Sequence, residues 1–235
     1  YLDTAVESLD GENHDISVCF TAYEELCQGK KKGHMTKYSD AVEGVRFVRM
    51  GLTKQEPLND SGDTYAADWG YVCLWGEENG ICKEGIKSIG TSKKCKEAEF
   101  STIIAYDDVY SIDYFGDKLK GLWAEKFVNI DEAMKYCKEN RAEILGRVQA
   151  WEKKILDDAE EFGEDYQTIL TVAARQVLAA HKLVRNKDGE LLYMSKECHS
   201  NGCINTVDVS YPAMPMYLLY APELVKAMLT GIYHF

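Results

Sequence analysis

Residues 195–212, SKECHSNGCINTVDVSYP, gather acids, amides, thiols, an imidazole and a lysine between two apolar runs. The stretch is neither helix-periodic nor cleanly alternating, so it reads as a polar loop suited to holding a ligand. Glu197 and Asp208 are its acidic pair. Facing each other across a small molecule, one carboxyl stays protonated and gives a proton while the other stays charged and activates water. That is how inverting glycosidases work, and the separation of the carboxyls decides between inversion and retention. Asn201, Lys196 and Tyr211 are the substrate-binding candidates beside them. Each residue also has a plain structural reading. Asp208 can cap a turn or point out of a strand, and Glu197 can pair with Lys196 at the surface. Asn201-Gly202 can be a simple turn, and Tyr211-Pro212 the entry to a helix.

A second group, AYDDVYSIDYFG, interleaves Asp107, Asp108 and Asp113 with Tyr110 and Tyr114. Rings stack on a ligand while carboxylates accept its hydrogen bonds, so Asp107, Asp108 and Tyr110 join the substrate-binding candidates. An alternating strand with its tyrosines packed on a neighbour is the competing reading, and it suits Asp113 best. Arg175 lies on a predicted helix of small and apolar residues, where it either pairs with an acid or faces the cleft. His181 reads as a helix-end residue, and Trp123 and Trp151 as core.

Nucleophilic catalysis has little support. Ser195 and Lys196 are adjacent, the wrong spacing for a Ser-x-x-Lys pair. Cys198 and His199 are also adjacent, and neighbouring side chains in an extended segment point apart. Cys198, His199 and Cys203 have metal-ligand chemistry without paired Cys-x-x-Cys spacing, so no metal and no cofactor is expected. Cys198 and Cys203 could instead close a small disulfide loop. Cys19 and Cys73 sit in the apolar runs ISVCF and GYVCLW and read as buried thiols.

These residues must be positioned by two different kinds of structure. Residues 1–98 read as strands: ISVCFTAY alternates, while GVRFVRMGL and WGYVCLWGE are rich in β-branched and aromatic residues. Asp10-Gly11 is a hairpin-type turn, and no helical run separates the strands, which points to a sandwich. Residues 99–235 are helical. From Asp131 to Phe162 apolar residues recur at three- and four-residue steps, the pattern of one long helix. A second helix is predicted in EDYQTILTVAARQVLAAHKLV, and a third in PELVKAML with Pro222 in its first turn. The fold class is therefore α+β, with a boundary near residue 98.

A net charge of −12 argues against nucleic acid or an anionic membrane as partner. No apolar run reaches the roughly 20 residues of a membrane span, and no signal peptide opens the chain. The chain begins at Tyr1 and ends in LTGIYHF, so both ends look cut.

YLDTAVESLDGENHDISVCFTAY and DTYAADWGYVCLWG resemble pieces of the β domain of the fungal-type glutaminase A family. IAYDDVYSIDYFGDKLKGLW, DYQTILTVAARQVLAAHKLV and KECHSNGCINTVDVSYPAMPMYLLYAPELVKAML resemble that family's central domain. The resemblance implies a β-sandwich portion followed by the first α-hairpins of an (α/α) six-hairpin toroid, with the chain truncated at both ends. It implies hydrolysis of glutamine to glutamate and ammonia, and the acids favour water activated by a carboxylate. The toroid is also used by glycosidases, so sugar hydrolysis is the rival, and a non-catalytic fragment or subunit is the third reading. The expected partners are a small molecule, glutamine or a sugar, and the remainder of the polypeptide or a complementary chain. Localisation stays open: family members are often secreted, whereas free thiols suit the cytoplasm.

Overall fold

The computed structural model describes the chain except residues 30–32, 43–44, 60–66, 79–80, 84–86, 197–201 and 235. It is an α+β protein in two compact units, one of Tyr1–Asp60 with Thr64–Val109 and one running from Tyr110 to Phe235.

The first unit carries β1 (Leu2–Glu7), β2 (His14–Ala22), β3 (Met35–Val42), β4 (Val45–Leu52), β5 (Tyr71–Glu78), β6 (Ile81–Lys83), β7 (Lys87–Cys95) and β8 (Glu97–Asp107). They form a five-stranded sheet in the order β1-β8-β5-β4-β3 and a three-stranded sheet in the order β2-β7-β6. Every pairing is antiparallel. Strands β4 and β5 of the first sheet lie against β7 of the second, which gives the two layers the sequence leads one to expect. On one face of β4 and β5, Val48 stands opposite Leu74 and Met50 opposite Val72, and Ala22 and Cys27 complete this cluster. On the other face Phe47 stacks on Trp75 with ring centroids 5.5 Å apart. Both faces of this strand pair are thus buried, which is why GVRFVRM and YVCLW read as apolar runs. Cys73 is fully buried, as expected, while the side chain of Cys19 lies outside the described residues.

The structure revises two expectations here. Asp10-Gly11 is a turn, with Gly11 at φ 74°, but not a hairpin, because the strands it joins belong to different sheets. Asp10 takes hydrogen bonds from His14, Ser8 and the Glu12 amide, which pull its carboxyl down to about 2. The change of period expected near residue 98 also falls later. β8 continues to Asp107 as an inner strand between β1 and β5, so the first unit ends at Val109.

The second unit opens with the hairpin of β9 (Ile112–Tyr114) and β10 (Asp117–Leu119). Phe115 and Gly116 turn it at φ 50° and 92°, the left-handed pair that two-residue hairpins require. Then come α1 (Ile130–Glu139), α2 (Arg141–Asp158), α3 (Glu164–Ala179), β11 (His181–Arg185), β12 (Leu191–Ser195), α4 (Val207–Tyr220) and α5 (Pro222–Tyr233).

The single helix expected over 131–162 is divided at Asn140. Its side-chain amide donates to the Tyr136 carbonyl at 2.9 Å, competing with the backbone ladder and ending α1 before α2 begins. Trp151, expected in the core, is half-buried, its ring edge-on to Tyr220, and Trp123 is half-buried in a 3-10 turn. The second expected helix overran its end: HKLVR is strand β11, paired with β12. Asn186 closes that hairpin by accepting from the amides of Asp188 and Glu190, with Gly189 at φ 83°. The third expected helix is α5, with Pro222 in its first turn.

Strand β12 lies between two apolar clusters. Leu192 and Met194 pack with Ile112, Leu119 and Val184, and Tyr193 packs with Ala213, Tyr217, Val225, Ala227 and Met228. His181 joins the second group, its ring stacked on Tyr193 at 4.7 Å and edge-on to Tyr217 at 5.8 Å. Its Nδ1–H donates to the Val177 carbonyl at 2.6 Å, so it serves the end of α3, and Nε2 is buried without a partner among the described residues.

Two outcomes test this packing. A Cβ on Gly51 would lie 2.4 Å from the Gly70 carbonyl oxygen and 2.5 Å from the Tyr71 ring. Gly51→Ala therefore lowers stability by about 1–3 kcal/mol, read from the urea midpoint. Burial pulls the His181 imidazole below its ordinary 6.5, against a smaller opposing effect of the Val177 carbonyl. Below 6.5 the unfolded chain binds a proton on this ring that the folded chain does not, so stability falls as pH falls. The slope from this group is at most about 1.4 kcal/mol per pH unit. Urea titrations of His181→Phe at pH values on either side of that point should show a weaker pH dependence than the wild type.

Candidate functional site

Helix α4 is held to β12 at two points. Tyr193 and Tyr217 share a hydrogen bond between their hydroxyls at 2.9 Å, and Ser195 and Ser210 share another at 2.9 Å. Tyr193 and Ser195 are two residues apart and so project from one face of the strand. Ser210 and Tyr217 are seven apart, two helical turns, and so lie on one face of the helix. Two bonds along matching lines leave α4 no freedom to roll. Burial pushes the Tyr193 and Tyr217 phenols above the ordinary value of 10.0, so the pair stays neutral.

That rotation turns Asp208 and Tyr211 outward. Both are exposed in the first turns of α4, three residues apart and hence on one side, with Tyr211 72% accessible. Here the structure corrects the expected polar loop over 195–212. Ser195 still belongs to β12 and α4 already begins at Val207, so Asp208 and Tyr211 are helical. Pro212 and Pro215 lie inside the helix rather than at its entry. Lacking N–H groups, they withdraw the usual donors from the carbonyls of Asp208 and Tyr211, four residues earlier. The sequence TVDVS alternates like a strand, but α4 forms because its inner face, Ser210, Ala213 and Tyr217, is buried.

The remaining candidates fall in several places. Glu197 and Asn201 lie outside the described residues, as do Cys198 and His199. Lys196 bridges to Ile204, and its amide donates to the carbonyl of Ala180 at the end of α3. Arg175 is exposed on α3, and Tyr110 is half-buried at the start of the second unit. Asp107 and Asp108 belong to the first unit. Asp107 accepts from the Val109 amide at 3.0 Å, closing the end of β8, and Asp108 is buried. Asp113 accepts from the Gly116 amide in the β9–β10 turn, in line with its structural reading.

Asn205, which the sequence places with Asn201 and Asp208 among the groups able to hold a ligand, has a left-handed backbone at φ 56°. Its amide N–H donates to Ser195 across the start of the loop. An asparagine between Ile204 and Thr206 carries the general signal of such a turn, but its contacts are far away in the chain.

Comparison with known proteins bears on what this site does. The model of the Glutaminase A six helical-hairpin domain matches residues 163–235, which include α3, α4 and Asp208. The chain is 27% identical over 277 residues to glutaminase A of Aspergillus oryzae, an alignment covering 99% of this chain and 39% of that protein. It is 32% identical over 126 residues to a probable glutaminase of Arthroderma benhamiae, covering 49% of this chain and 14% of that one. The chain thus spans well under half the length of these relatives. No solved structure gives a significant match. Family match and relatives agree along the chain: it is similar to the glutaminase A family, with the six helical-hairpin domain matched over residues 163–235.

Proposed function

We propose that this chain supplies part of the active site of a hydrolase that releases ammonia from glutamine, with Asp208 as the carboxylate that activates water. The observation carrying this reading is that the glutaminase A domain match spans a helix presenting Asp208 and Tyr211 together on its exposed side. A carboxylate held outward on a fixed helix is available to a substrate, unlike Asp108, which is buried.

In this mechanism water adds to the side-chain amide carbon of glutamine while Asp208 takes its proton. Collapse of the tetrahedral intermediate breaks the C–N bond, and Glu197 as the acid partner protonates the departing nitrogen, giving glutamate and ammonia. Glutamine also carries an α-carboxylate, for which Arg175 and Lys196 are the cationic candidates, with Asn201 as a further hydrogen-bonding group. Tyr211 supplies a ring and a hydroxyl beside Asp208.

The test uses the natural full-length protein, assayed for ammonia release from glutamine beside reducing-sugar release from a panel of glycosides. Asp208→Asn should cut ammonia release roughly 10²- to 10⁴-fold while the melting temperature stays close to that of the wild type. A large loss of stability with turnover preserved would make Asp208 a structural, helix-start charge. Sugar release without ammonia would replace the reaction with glycoside hydrolysis, and silence in both assays would favour a binding role.

A further inference from the structure

We infer that Asn205, seated in a notch made by Gly231, is a positioning residue that sets Asp208 at the start of α4. The inference rests on the reading of Asp208 as the water-activating carboxylate.

Helix α4 begins without a side-chain cap: Thr206 stands at its N-cap position and makes no capping hydrogen bond. Something else must fix where the helix starts. Asn205 is tied in two directions at that point. Its backbone N–H donates to the Ser195 carbonyl at 2.8 Å, joining it to the end of β12. Its side-chain Nδ2 donates to the Met228 carbonyl of α5 at 3.3 Å. The neighbouring Ile204 bridges to Lys196.

The amide fits here because Gly231 has no side chain. A Cβ on Gly231 would lie 2.8 Å from Asn205 Nδ2 and 2.8 Å from Met194 Cε. Met228 and Gly231 are three residues apart, so both face Asn205 from one side of α5. The arrangement departs from ordinary stability in two respects. Asn205 holds a left-handed backbone at φ 56°, and its Oδ1 is buried with no partner among the described residues. Strained backbone and a buried acceptor left unpaired each oppose folding, and such departures concentrate where function needs a fixed geometry. Asp208 follows three residues later, within one turn of this anchor.

Asn205 touches no reacting atom in this account; it acts through Asp208. Asn205→Gly keeps the left-handed backbone and removes the amide. In the natural full-length protein, well below the melting temperature, it should lower kcat for ammonia release roughly 10- to 100-fold with KM little changed. Gly231→Ala pushes on the same amide from α5 and should lower kcat in the same way, which keeps the test open if Asn205→Gly does not fold. Asp208→Asn is measured beside them. If Asp208→Asn is inactive while the Asn205 and Gly231 variants keep wild-type kcat and lose only stability, Asn205 is structural and this inference falls alone. If Asp208→Asn keeps full turnover, the reading of Asp208 falls and takes this inference with it.

Discussion

The second unit depends on a strand with no face left to solvent. Leu192, Tyr193, Met194 and Ser195 of β12 are all buried, so the hydroxyls of Tyr193 and Ser195 must find partners inside the fold. Both find them on α4, in Tyr217 and Ser210. A hydroxyl pair contributes only about 1 kcal/mol net, but leaving a buried hydroxyl unpaired costs about 1–3 kcal/mol. The asymmetry makes the rotation of α4 specific: any roll that frees Asp208 from its outward position strands polar groups in the core. Apolar packing of Ala213 and Met228 gives the affinity between these elements, and the hydroxyl pairs give the register.

The same constraint explains why α4 tolerates prolines at 212 and 215. Its hold on the fold comes from the side chains that face β12 and α5, not from a complete ladder of backbone bonds. The exposed side carries the prolines and Tyr211, and the buried side carries Ser210, Ala213 and Tyr217. Exposed and anchoring side chains therefore occupy opposite sides of one helix. Substitutions on the outer side leave the anchoring contacts of Ser210, Ala213 and Tyr217 in place.

Much of this was legible in the sequence wherever local pattern and burial agree. β4 and β5 announced themselves because both faces are buried, and α5 because Pro222 and the apolar spacing coincide. The break at Asn140 and the strand HKLVR were missed for physical reasons. No Gly or Pro follows α3, so its helical period runs into β11 without a visible stop, and the Asn186–Gly189 turn that makes the hairpin lies beyond it. The polar character around Asp208 was legible from its residue types, but its placement on a helix was not, because Thr206, Val207 and Val209 favour a strand locally. The Ser195–Ser210 and Asn205–Met228 bonds join residues 15 and 23 apart, and no local pattern encodes them.

The proposed role of α4, locked so that Asp208 and Tyr211 meet the substrate, is open to direct test. The most direct measurement is a crystal structure of the natural full-length protein with glutamate, the expected product, bound. The ligand's side-chain carboxylate should lie within hydrogen-bond reach of Asp208, with Tyr211 beside it and the Ser195–Ser210 and Tyr193–Tyr217 pairs intact. Glutamate bound elsewhere, with Asp208 covered by another part of the protein or α4 rolled on β12, would contradict it.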